Sequence, residues 1–127
     1  MFVPQCDLLR PLRLPGVLVG DGRLGGISAT LSAYDTLALH GHQVPLVVLM
    51  DDGQLDNAQA IQRHLRGKAA VLAFPVCQPP PAGAPAGGVD ANLAAWLDAS
   101  SRQFDALLQR AGEAHERRLA ALQAAAG

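Results

Sequence analysis

Residues 14–28, Leu14-Pro15-Gly16-Val17-Leu18-Val19-Gly20-Asp21-Gly22-Arg23-Leu24-Gly25-Gly26-Ile27-Ser28, decide how this chain is read. The apolar run Val17–Val19 breaks into a glycine-rich turn, and a helical pattern starts directly after it. That is the layout of a strand feeding a loop at a helix N-terminus. Unpaired amides and the positive end of the helix dipole make such a place attractive to a carboxylate or phosphate. Side chains in place of the glycines would hold a ligand away from the backbone. The stretch therefore predicts an α/β protein that grips an acidic small molecule at this turn.

Working outward, residues 16–20 read as a buried strand and 26–40 as a helix, with Ile27, Leu31, Tyr34 and Ala38 at helical spacing and Gly41 ending it. Val44 to Leu49 is a second apolar run of strand length, closed by the turn residues Asp51-Asp52-Gly53. Asp56 or Asn57 then caps a helix through Arg66 that turns Leu55, Ala58, Ile61 and Leu65 inward before Gly67. Ala69 to Phe74 gives a third strand. This β-α-β-α-β order requires parallel strands joined by right-handed crossovers. Ligands in such sheets lie beyond the carboxyl ends of the strands, here Gly20–Gly26, Met50–Gly53 and Pro75–Gln78.

From 76 to 89 proline, glycine and alanine dominate, a loop separating residues 1–75 from a helical segment at 90–127. That segment reads as helical throughout, with Asp90 as its cap and Leu93, Trp96, Leu97, Phe104, Leu107 and Leu108 as its inner stripe. Leu119 and Leu122 near its end are a thin apolar set for docking and suit a connector.

Composition limits the partners. Half of the 127 residues are apolar, so a core is available, although aromatics are only 4%. A net charge of about −1 without a basic cluster argues against nucleic acid or an anionic membrane. No apolar run reaches the roughly 18 residues of a membrane span. No secretory signal is visible at Met1-Phe2-Val3-Pro4. Cys6 and Cys77 form no CxxC pair, as expected in a reducing compartment.

Gly20-x-Gly22-x-x-Gly25 fits the dinucleotide fingerprint, follows a strand and opens a helix, with Asp51 and Asp52 ending the second strand. Yet Asp51 lies 26 residues past Gly25 (51 − 25), where about 20 is usual. His40 and His42 flank Gly41 at a helix end, where a cation is favoured, and no metal ligand is expected among the histidines. Asp51 and Asp52 are read as turn formers, with a ligand-facing role for Asp51 as the alternative. No Ser-His-Asp or Cys-His arrangement assembles. G-x-x-x-x-G-K-[ST] is absent from the sequence.

Cys6-Asp7-Leu8, Arg10-Pro11, the run Arg13–Ser28, then Ala33-Tyr34, Gly41, Asp51, Ala95-Trp96-Leu97 and Glu116-Arg117-Arg118-Leu119 resemble the dethiobiotin synthetase domain of bifunctional biotin-synthesis enzymes. In that family the domain precedes a diaminopelargonate aminotransferase, and the full-length bifunctional enzymes are mitochondrial. The resemblance implies a parallel-sheet, P-loop NTPase-like fold with a long C-terminal helix, and a homodimer. It also implies ATP-dependent carboxylation of diaminopelargonate with CO2 and closure of a cyclic urea, with ATP and Mg2+ as cofactors. The family rests the diamine's distal carboxylate on a helix N-terminus of the neighbouring subunit, which falls on Gly25, Gly26, Ile27 and Ser28 here. Its adenine positions fall on Met50 and Asp51, then Pro75, Val76 and Cys77.

Two departures qualify this. Single-domain members carry asparagine where this chain has Met50. The family's P-loop, catalytic lysines and Mg2+ ligands have no counterparts, so the chain is expected to be the C-terminal half of the domain, holding no catalytic residue and inactive alone. A non-catalytic binding or dimerisation module and a small dinucleotide-binding oxidoreductase stand as alternatives.

Overall fold

The computed structural model describes residues 4–127; Met1 to Val3, read above for a leader sequence, lie outside these. Strands β1 (Val17–Asp21), β2 (Leu46–Met50) and β3 (Ala70–Phe74) form a parallel sheet in the order β1-β2-β3. Val17 pairs with Leu46 and Asp21 with Met50; Leu46 pairs with Ala70 and Met50 with Phe74. Helices α2 (Gly26–Leu39) and α3 (Asn57–Leu65) connect them. A short helix α1 (Gln5–Leu9) with a following 3-10 turn precedes the sheet, and α4 (Ala91–Ala99) and α5 (Ser101–Ala126) follow it. The α/β order of the central elements is as expected from the sequence. The N-terminal helix has no periodic apolar pattern and was not expected.

Side chains on a strand alternate between faces, and β2 uses both. Val47 and Leu49 join Tyr34, Val44, Ile61, Leu65 and Ala69 in the core beneath α2 and α3. Leu46 and Val48 join Phe74 in a second core covered by Trp96, Phe104 and Leu107. A strand covered on both faces has no polar side, which is why 44–49 reads as an unbroken apolar run. β1 differs. Val17 and Val19 point to the α4/α5 side of the sheet, which those helices do not reach, and are 44% and 65% exposed.

Several expectations change on contact with the fold. The segment 90–127 is two helices: the chain bends at Ser100, which is fully buried. At about 100° per residue, Trp96 and Phe104 would diverge by about 80° on one continuous helix. The bend lets both face Phe74, with Phe104 edge-on at 5.0 Å and Trp96 at 6.3 Å between ring centroids. Leu97 and Leu108, placed in the inner stripe by periodicity, are exposed for the same reason. Leu55 is exposed too, because it precedes α3 rather than belonging to it. Asp90 caps α4 as read, its Oδ1 accepting from the Asn92 and Leu93 amides at 2.8 and 3.0 Å. Asp56 stands at the α3 cap position without a side-chain capping bond. Leu119 and Leu122 are largely exposed, and α5 is tied near them by the Arg118 guanidinium, which donates to the carbonyls of Arg13 and Leu12.

Candidate functional site

The carboxyl ends of the strands bring together the two residue groups singled out above. Gly22 donates its amide to the Met50 carbonyl at 3.0 Å, and Asp51 donates to the Phe74 carbonyl at 2.8 Å, so the β1 loop, the β2 end and the β3 end form one continuous rim. Pro75 is fixed there by the Trp96 indole, whose Nε1 donates to its carbonyl at 2.5 Å. Gly25–Ser28 start α2 at one side of this rim, and Met50, Asp51, Pro75, Val76 and Cys77 make the other. An open depression of about 540 Å3 runs along β1, lined by Leu18, Val19, Thr30, Met50 and Val76 among others but by none of Gly25–Ser28. The Thr30 hydroxyl is buried there without a hydrogen-bond partner among the described residues.

Gly22 and Gly26 are required by close backbone approaches rather than by room for a ligand. A Cβ on Gly26 would collide with the Asp21 carbonyl, and one on Gly22 would sit 2.6 Å from the Met50 carbonyl. These positions are glycine because the chain passes over itself, not to admit a ligand. Gly25 alone needs glycine for conformation, at φ +85° with open space around it.

Loop amides divide into spent and free. Gly22 donates to Met50, Arg23 to the Asp21 carboxylate at 2.9 Å, and Gly26 to the Arg23 carbonyl at 2.9 Å. The same Arg23 carbonyl takes a second bond from the buried Asn57 side chain, at 2.9 Å. Gly26 is thereby removed from the set of four expected donors. Ile27 and Ser28 have no amide partner among the described residues, and Ser28 adds an exposed hydroxyl beside them. Two adjacent amides and a hydroxyl at a helix N-terminus suit one carboxylate. They do not surround a pyrophosphate, which counts against the dinucleotide reading of Gly20, Gly22 and Gly25.

Asp21 and Arg23 form an exposed ion pair over the loop at 2.6 Å. The Arg23 side-chain hydrogen bond holds the Asp21 carboxyl below its ordinary value, helped by the Arg23 amide, and Asp21 in turn raises Arg23. For a lowered carboxylate the contact is present above the ordinary carboxylate range and lost as pH falls through the lowered value. Arg23→Ala is expected to raise the Asp21 pKa partway to its ordinary value, since the amide bond remains; carboxyl-carbon NMR titration reads this directly. An unchanged titration would show that the guanidinium does not set it.

Asp51 and Asp52 are turn formers as read: their Oδ1 atoms accept from the Gly53 and Gln54 amides at 2.9 and 3.0 Å. This engages Asp51 in its own turn. On the base side the Met50 carbonyl and the Asp51 amide are spent on neighbouring strands, and the Pro75 carbonyl on Trp96. Val76 and Cys77 retain free main-chain groups there among the described residues. Magnesium and a triphosphate do not fit what is present. The one lysine of the sequence, Lys68, lies in the α3–β3 turn at the opposite end of the sheet. Asp21, the acid that opens the loop, is committed to Arg23. No step through ATP or Mg2+ is therefore derived from these residues.

A parallel three-stranded sheet with helices on both faces and a helix N-terminus at its carboxyl edge defines an α/β unit of the open-sheet class. Sequence comparison narrows the class. The chain is 45% identical over 103 residues to the mitochondrial bifunctional dethiobiotin synthetase/7,8-diamino-pelargonic acid aminotransferase of Arabidopsis thaliana, covering 81% of this chain and 11% of that protein. It is 44% identical over 115 residues to the rice enzyme of the same name, covering 91% of this chain and 13% of that one. The bifunctional dethiobiotin synthetase/adenosylmethionine-8-amino-7-oxononanoate aminotransferase of Emericella nidulans is 49% identical over 76 residues, 60% of this chain and 10% of that protein. This chain belongs to the bifunctional dethiobiotin synthetase/aminotransferase family, of whose members it spans about a tenth of the length. No protein-family model matches it. Among the described residues no helix is long and apolar enough to cross a membrane.

Proposed function

We propose that this chain supplies the substrate-carboxylate end and the nucleotide-base rim of a dethiobiotin synthetase domain, of which it is the C-terminal half. The observation that carries the reading is the pair of unspent amides on Ile27 and Ser28, opening a helix beside the strand ends, in a chain whose relatives are named as dethiobiotin synthetases. The acid they would hold is the distal carboxylate of diaminopelargonate. Val76 and Cys77 would meet the adenine edge, with Met50 and Asp51 as walls rather than readers, since their polar groups face β1 and β3. Gly25 and Gly26 shape the turn without donating.

The exposed edge of β1 supports the half-domain placement. Parallel sheets are covered on both faces in complete α/β domains, while Val17 and Val19 stand open beside the 540 Å3 depression. Further strands of a P-loop-type sheet, with the helices that connect them, would cover this face and bring the phosphate cradle and the magnesium ligands. We therefore assign no catalytic step to this chain's residues. A homodimer, with each helix end serving the neighbouring subunit, and an attached aminotransferase domain complete the proposal, in mitochondria, as the two plant relatives are named.

The test is amide NMR titration of the chain with diaminopelargonate. Ile27 and Ser28 should shift most, and Ser28→Asp should weaken binding about tenfold to a hundredfold. That range corresponds to losing a hydrogen bond to a charged group, about 1.5–3 kcal/mol. Position 28 is exposed, so the new charge reaches the ligand without disturbing packing. Equal binding of an analogue lacking the carboxylate would overturn the assignment. Shifts of Gly20–Gly25 on addition of NADH, with none from the diamine, would install the dinucleotide reading instead.

A further inference from the structure

We propose that Cys6, Asp7 and His40 form a binding site for a borderline divalent cation such as Zn2+, clipping α1 to the C-terminal end of α2. One ligand atom from each residue lies within 4.8 Å of the other two, and all three side chains are half-buried. Bonds of about 2.0–2.3 Å in a tetrahedral site place neighbouring ligand atoms about 3.5 Å apart, so modest rotamer adjustment closes the set. Thiolate, imidazole and carboxylate are a Zn2+ donor set, and three protein ligands leave a fourth position for water.

The surroundings prepare two of the three donors. His40 Nδ1 lies 2.7 Å from the Thr36 carbonyl, which can only accept. Nδ1 therefore carries the hydrogen, leaving the Nε2 lone pair for a metal, the outer-sphere arrangement typical of metal-bound imidazole. His42 donates from Nε2 to the Cys6 carbonyl at 2.6 Å and so holds the Cys6 backbone against the end of α2. Gly41, at φ +83°, reverses the chain between the two histidines so that each meets a different group. The sequence alone hides this cluster, because 34 residues separate Cys6 from His40 (40 − 6) and no ligand spacing motif spans them.

The site has a mechanical purpose as well. α1 buries no residue, so it has little packing of its own. A metal would replace that missing burial with bonds, and its binding would release the thiol proton of Cys6. This site is separate from the strand-end rim and stands whether or not the rim binds a diamine acid.

Cobalt titration of the purified chain is the experiment. One Co2+ per chain should bind and give a thiolate-to-cobalt charge-transfer absorption, with Zn2+ displacing it. Cys6→Ser should abolish that band, while Cys77→Ser, on the other thiol, should leave it unchanged. Asp7→Asn and His40→Gln should each weaken cobalt binding at least tenfold; both positions lie outside the core, so these two variants decide the matter if Cys6→Ser fails to fold. A missing band, a band that survives Cys6→Ser or disappears in Cys77→Ser, or one ion per two chains would overturn the proposal.

Discussion

Gly26→Ala is expected to destabilise this chain by about 3 kcal/mol or more, whereas Gly25→Ala is expected to cost only about 1–2 kcal/mol. At Gly26 the added methyl would collide with the Asp21 carbonyl and come within 3.3 Å of Asn57 Nδ2. Neither neighbour can yield cheaply. Asp21 is the last residue of β1, paired with Met50, and Asn57 is buried at the start of α3 with its amide on the Arg23 carbonyl. Relieving the overlap means separating β1, α2 and α3, a loss of about 3 kcal/mol or more against a total stability of about 5–15. At Gly25 nothing lies within 4 Å, and the cost is that of holding an L-residue in the left-handed region. Urea unfolding of the two variants, followed by circular dichroism, measures the contrast. Equal losses would show that the close approach of Gly26 to Asp21 is not what fixes the loop.

Phe74→Ala should be the most damaging change in the core, at about 3–5 kcal/mol. Phe74 is 3% exposed and is the residue on which α4 and α5 meet the sheet, in contact with both Trp96 and Phe104. Losing its ring leaves those two aromatic rings packed mainly on each other, at 5.6 Å between centroids. The core beneath α2 and α3 contains none of these residues, so the damage should appear first as release of the helical tail. Trp96 is the one tryptophan of the chain, and its emission should shift to the red at denaturant concentrations where far-ultraviolet circular dichroism still reports the sheet. Coincident transitions in both signals would mean that the two cores unfold as one unit.

Both variants bear on the candidate site, because the rim is built by the same contacts. The Gly22 and Asp51 amides that close the rim are main-chain bonds between strand ends, and the Trp96–Pro75 bond is what positions the segment leading to Val76 and Cys77. The shape of this edge therefore depends on the packing of α4 as much as on the glycine loop.

The order of the three strands and of the helices α2 and α3 between them is readable from the sequence because it rests on local chemistry. Val44–Leu49 is apolar without alternation because β2 is covered on both faces, and Asp90 announces the start of α4 because capping is a bond within four residues. The loop after β1 was identified correctly as the place where a helix N-terminus opens beside the strand ends. What each of its glycines does was not readable, since that depends on the carbonyls of Asp21 and Met50, the latter 28 residues beyond Gly22 (50 − 22). The same holds for the donors. Counting backbone amides at a helix start gives four, and only the fold shows Gly26 spending its own on Arg23 and leaving Ile27 and Ser28 free. The bend at Ser100 and the meeting of Cys6, Asp7 and His40 belong to this second class. Periodicity and capping are set by neighbours along the chain, so sequence determined them. Clashes, spent hydrogen bonds and side-chain clusters are set by neighbours in space, and these the tertiary structure alone decided.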